Sequence, residues 1–271
     1  GSTRASGANG RLVGIRISSG TANTTHENIT IDHNTFFRMD SGMVVYTSGA
    51  SNNTARNINF LNKNLYNTAR LGVVETNGTI GSTMRAITYE DNDYIWENEA
   101  YAPADIEFFD FNDESNDVSL INNRFKADDT LELIEEAIDI NYTTNAKIIG
   151  NTIIGNFKNG MRLTATSSDN LIEGNYIEYV NGSVANQNGI LLWTTAKSAT
   201  SSILRNRVIG NFVRNAGTCY VLSGASYNIL SNNIADTCDQ GIKVEKDTYT
   251  GVSIPGDFNI VSNNTVINPK T

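Results

Sequence analysis

In each of nine successive units an asparagine is followed, two residues later, by a bulky apolar residue. The pairs are Asn34 with Phe36, Asn64 with Tyr66, Asn92 with Tyr94, Asn123 with Phe125 and Asn151 with Ile153. They continue with Asn175 and Ile177, Asn206 and Val208, Asn232 and Ile234, and Asn264 and Val266. Successive asparagines lie 24 to 32 residues apart, and each follows a short β-like run such as ITIDH, INFLN or VSLIN. Every unit carries a second apolar run as well: GIRI, MVVY, GVVE, IEFF, AIDI, MRL, GILLW, YVL and GIKV. Units of this length, with period-2 alternation and variable insertions, are the mark of a solenoid.

Strands of such short units bury their apolar faces by stacking coil upon coil, about 4.8 Å apart. The expectation is therefore an all-β chain: a parallel β-helix of about nine coils, right-handed by the crossover preference of parallel strands. The asparagines belong at the corners, where they tolerate unusual backbone angles and hydrogen-bond the coils above and below. Asparagine is abundant enough for this, at 38 of 271 residues. Residues 1–271 read as one β-helix domain, a module or fragment of something longer, because no amphipathic capping helix is recognisable at either end. Further coils or a homo-oligomer would cover the open ends.

The corner pattern resembles the right-handed parallel β-helix superfamily of pectate-lyase-like proteins, which includes polysaccharide lyases, glycosidases and tailspikes. The resemblance covers residues 11 to 268 and rests on the asparagine corners. It implies the fold, and a polysaccharide partner at an extracellular or cell-surface location, without selecting a reaction. Pectate lyases carry a Trp-Ile-Asp-His segment, and Thr30-Ile31-Asp32-His33 is similar without the tryptophan. In register, however, Asp32-His33 corresponds to Glu90-Asp91, Ile121-Asn122 and Glu173-Gly174, and to Arg205 before Asn206. That makes the pair one rung of the repeat rather than a catalytic dyad. The Asp-Asp and Gly-His-Gly signatures of polygalacturonases are absent, as are the Asp-Pro-His of alginate epimerases and the Asn-Lys-Ser of alginate lyases.

Charge excludes some partners. A net charge of −9 argues against nucleic acid. No apolar run approaches the roughly 20 residues that membrane insertion requires. Residues 97 to 139 hold 14 of the 29 acids and only two bases, Arg124 and Lys126. Part of this excess lies in KADDTLELIEEAID. Cys219 and Cys238 lie nearly one coil apart at non-equivalent positions; two buried thiols are favoured over a local disulfide.

The groove in a solenoid lies along one strand column walled by longer loops, and the GIRI-to-GIKV column fits best. Taking alternate residues as outward, its middle row reads Arg16, Val44, Val74, Glu107, Asp139, Arg162, Leu191, Val221 and Lys243. A flanking outward row adds Tyr46, Phe109, Asn141, Thr164 and Trp193. A register slip near LGVVET and IEFFD would bring in Glu75 and Asp110 instead. Glu107, Asp139 and Arg162 are thus the candidate catalytic residues, open to solvent, with Trp193, Tyr46 and Asn141 on the substrate. Stacked carboxylates repel unless a cation, a proton or Arg162 lies between them, which makes Glu107 and Asp139 the candidate calcium ligands.

The reaction expected is cation-assisted β-elimination from a uronic-acid chain. Its alternatives are a non-catalytic glycan-binding or structural module, such as a tailspike or adhesin shaft, and an inverting glycoside hydrolase. On this reading Asp139→Asn spares or improves stability in the absence of the ion, and Asp32 and His33 are dispensable for activity.

Overall fold

The computed structural model describes residues 13–19, 21–37, 41–47, 52–66, 70–75, 83–96, 107–111, 115–127, 134–180, 187–194, 203–247 and 256–269. Among these residues the chain forms strands and no helix, so none crosses a membrane as a helix. The strands make three nine-stranded sheets, all parallel, and each turn of the chain supplies one strand to each sheet. This is a parallel β-helix. Sheet A contains Val13–Ser19, Ser41–Thr47, Arg70–Glu75, Glu107–Phe111, Ile134–Asn141, Phe157–Thr164, Asn188–Trp193, Thr218–Ser223 and Gln240–Glu245. Sheet B runs from Thr25–Asp32 to Ile260–Ser262, and sheet C from Thr35–Phe37 to Thr265–Ile267. Each of the nine GIRI-type runs contributes to sheet A, IEFF through Glu107–Phe109.

Like residues stack on like inside the coil. Met43, Phe109, Ile138, Met161, Ile190 and Tyr220 are buried members of one inward row of sheet A. Aromatic rings continue the stacking: Phe60 lies over Tyr89 with centroids 4.8 Å apart, and Tyr94 over Phe125 at 4.9 Å. Phe109, expected on the outer face, is therefore core.

One feature of sheet A departs from strict alternation. Its ladder registers Glu136 with Asn159 and resumes at Ile138 with Met161, skipping Ala137 and Gly160. The skipped residues and those after them are all buried, so two successive residues face inward and the strand bends. Close packing explains the small residue there. A Cβ on Gly160 would sit 2.7 Å from the Gly189 carbonyl oxygen and 2.9 Å from a methyl of Ile177.

The corner between sheets B and C repeats with the same geometry. Its first residue is left-handed in every turn: His33, Asn62, Asp91, Asn122, Gly150, Gly174, Gly210, Asn232 and Asn263. The next residue points inward, and it is asparagine in all turns but one: Asn34, Lys63, Asn92, Asn123, Asn151, Asn175, Asn211, Asn233 and Asn264. Three of the nine asparagines expected at this inward position are therefore displaced. Asn64 and Asn232 sit one residue to either side of it, and Asn206 belongs to a second ladder before sheet B, with Asn170, Asn228 and Asn259. Arg205 shares that second corner, so the residues equivalent to Asp32-His33 in that turn are Ile209-Gly210. His33, at φ 51°, is a rung, and Asp32 Oδ1 accepts from Asn62 Nδ2 at 3.0 Å and lies 2.8 Å from His33 Nδ1.

Candidate functional site

The row of sheet A in register with Arg162 reads Arg16, Val44, Val73, Asp110, Asp139, Arg162, Leu191, Val221 and Lys243. Asp110 occupies the place expected of Glu107. Glu107 pairs with Glu136, three residues earlier on the strand, at the head of a separate polar row. That row continues as Asn159, Asn188, Thr218 and Gln240. Because the strand bends between them, residues three apart, such as Glu136 and Asp139, share the outer face.

Arg162 ties the two rows together. Its Nε and Nη2 donate to the two carboxylate oxygens of Asp139 at 3.0 and 2.6 Å, and its Nη1 lies 2.7 Å from Glu136 Oε1. Asn141 Nδ2 adds a bond to Asp139 at 2.7 Å, and Asn159 Nδ2 one to Glu136 at 2.8 Å. Asp139 and Arg162 thus meet as expected, with Asn141 beside them. They are not open to solvent: Glu136 is 0% exposed, Asp139 1% and Asp110 4%, while the Arg162 side chain keeps 19%. Asp139 holds Arg162 by a bidentate, charge-assisted pair, so on this geometry Asp139→Asn should lower stability rather than spare it.

The open surface lies beyond Arg162, toward the C-terminal coils. A groove of about 520 Å³ crosses the strands Asn188–Trp193, Thr218–Ser223 and Gln240–Glu245. Its floor is Leu191 and Val221, one wall the polar row of Asn188, Thr218 and Gln240, the other Trp193, Ser223 and Glu245. The Trp193 indole is held by a 3.1 Å bond from Nε1 to Asp247 Oδ2. Lys243 Nζ lies 2.9 Å from Glu245, and Asp239 also lines the groove, so its charged residues sum to −1.

The expected site residues therefore separate. Trp193 lies in the groove, next to Arg162 by strand. Tyr46 is five strands away, about 24 Å at the usual strand spacing, and does not join it. Sequence reading missed Glu136, Asn159, Asn188, Thr218 and Gln240. Their signal is the recurrent spacing Glu136-x-x-Asp139, Asn159-x-x-Arg162 and Asn188-x-x-Leu191, with a small residue second in each. The acids of residues 128–133 lie outside the described residues.

As a calcium pair, Glu107 and Asp139 stand in different rows, and both Asp139 oxygens already hold donors. Among the described residues no three His, Cys, Asp or Glu side chains cluster to hold a metal. Cys219 and Cys238 are joined as a disulfide, with Cα atoms 6.0 Å apart, so the two-thiol expectation is corrected. Cys219 lies on the strand Thr218–Ser223, turned inward by the bend in sheet A, and Cys238 lies in the connection that leads into the next strand of that sheet, Gln240–Glu245.

Fold and site together define a parallel β-helix with an outward groove of ring, amide and aliphatic groups. No protein-family model matches the chain, and no curated protein does. Among solved structures it is similar to the A-module of the mannuronan C-5 epimerase AlgE6 of Azotobacter vinelandii. Sequence identity is 15% and the TM-score 0.46, over 94% of this chain and 60% of that one. The chain thus spans less than two thirds of that structure.

Proposed function

We infer that the chain is a polysaccharide-active β-helix protein working outside the cell, with an extended glycan lying along the outer face of sheet A. The observation that carries this reading is the groove beside Arg162. A sugar has apolar C–H faces and a rim of hydroxyls; Leu191, Val221 and the Trp193 ring suit the first, and Asn188, Thr218 and Gln240 the second. The Cys219–Cys238 disulfide supports an oxidising location.

For the reaction, we favour elimination from a uronic acid seated at the Arg162 end. Glu136 and Asp139 act as positioning residues that hold the guanidinium, and its exposed edge receives the sugar carboxylate. Hydrogen bonds from the guanidinium to that carboxylate acidify the C5 proton, and Asp110, beside Asp139 in the row, takes it. The C5 electron pair forms the C4–C5 double bond, the C4–O bond breaks, and the departing oxygen takes a proton from water. No step is routed through a cation, since the Asp139 oxygens are occupied.

The burial of Asp110, Glu136 and Asp139 favours a second reading, a glycan-binding module without turnover. One experiment separates them: incubation with a panel of neutral and uronic polysaccharides, with and without calcium. Ultraviolet-absorbing unsaturated ends support elimination, and new reducing ends without them indicate hydrolysis. Calorimetric binding without either supports the module. No binding and no turnover contradicts both readings.

A further inference from the structure

The polar row beside Arg162 is a chain of hydrogen bonds with a fixed sense. Glu136 Oε1 accepts from Arg162 Nη1 at 2.7 Å and from Asn159 Nδ2 at 2.8 Å. A carboxylate oxygen holding two such donors is an acceptor, so the Asn159 amide is oriented with nitrogen toward Glu136 and oxygen away from it. That oxygen accepts from Asn188 Nδ2 at 2.9 Å. Asn188 is oriented in turn: its nitrogen faces the buried cluster, and its Oδ1, which accepts from no described residue, belongs to the groove that Asn188 lines. An isolated asparagine offers a ligand either end of its amide. This one offers an acceptor.

We propose that Glu136, acting through Asn159, sets the polarity of Asn188, so that this point of the groove takes a donor hydroxyl of a sugar and rejects a carboxylate or an alkylated hydroxyl. The inference rests on the glycan-binding reading and deepens it. The charge of the groove agrees, since Asp239 and Glu245 outnumber Lys243 and disfavour an anion here. An uncharged, hydroxyl-bearing sugar unit therefore occupies the groove. Glu136 and Asn159 are positioning residues in this scheme; Asn188 is the contact.

The test is calorimetric titration with xylo-oligosaccharides and oligogalacturonates, each native and O-methylated. For a fragment that binds, the wild-type protein should prefer the native form roughly tenfold, the effect of leaving one acceptor unpaired. Asn159→Leu frees the Asn188 amide to turn, and the preference should fall toward one while the native fragment still binds. Asn188→Ala leaves Glu136 and Arg162 in place and should lose the preference too, which keeps the test decisive if Asn159→Leu does not fold. Retention of the wild-type ratio in either variant overturns the proposal alone. Binding of no fragment overturns the glycan reading and this proposal with it.

Discussion

Within the sheet B–C corner Asn123, Asn151, Asn175, Asn211 and Asn233 each use the whole amide. Asn175 Nδ2 donates to Ile148 O at 2.8 Å in the preceding turn and to Asn211 Oδ1 at 2.9 Å in the next. Its Oδ1 accepts from both the backbone and side-chain nitrogens of Asn151, each at 2.9 Å. Asn175→Leu strands the Asn151 N–H and the Ile148 carbonyl in the interior and should destabilise the fold by at least about 1–3 kcal/mol in chemical denaturation. Lys63 is the exception in this ladder. It is 1% exposed, its Nζ has no hydrogen-bond acceptor among the described residues, and burial lowers its pKa to about 8 against the pull of Asp32. With the folded value depressed, the unfolded chain binds the proton more tightly, so the charged amine weakens the fold below about 8 and that penalty fades as pH rises toward 10.5. Lys63→Asn should extend the ladder and raise the melting temperature most at neutral pH. The gap between variant and wild type should close across that window.

Within sheet A the pair of strands Ile134–Asn141 and Phe157–Thr164 stakes its stability on one guanidinium. Arg162→Leu takes the cation from two buried carboxylates and should cost about 3–5 kcal/mol, measured by denaturant midpoint. Arg162→Lys keeps the charge but loses the fork onto Asp139, and should fall between. The strands themselves were legible in the sequence because the apolar runs repeat with a period that only stacked coils satisfy. The site was legible in part. IEFFDF is apolar enough to slide, and only the pairing of Asp110 with Asp139 fixes its register, which is why Glu107 was misplaced by three residues. The polar row from Glu136 to Gln240 was hidden by the bend, because strict alternation sends a residue three positions away to the opposite face. Lys63 was hidden between Asn62 and Asn64, both of which resemble the ladder residue.

At the scale of the whole molecule, contacts run almost wholly between successive turns, so local staples act on the coils they join. The Cys219–Cys238 bridge closes a loop of 19 residues, and its removal by Cys238→Ser should cost about 3 kcal/mol in the chain-entropy account. Hydrogen exchange should then rise first in the C-terminal coils that form the groove. Asp32 and His33 lie at the opposite corner, and their replacement by alanine should leave glycan binding unchanged. The proposed function places the glycan on the outer face of sheet A, at Trp193. The chain has two tryptophans, and the other, Trp96, is buried in the core. A fluorescence titration with the oligosaccharide panel therefore reports on Trp193. Binding at this surface should give a saturable change in emission that is lost in Trp193→Phe, together with about a tenfold drop in calorimetric affinity. Tight glycan binding that leaves Trp193 emission unchanged and survives Trp193→Phe undiminished would contradict that placement.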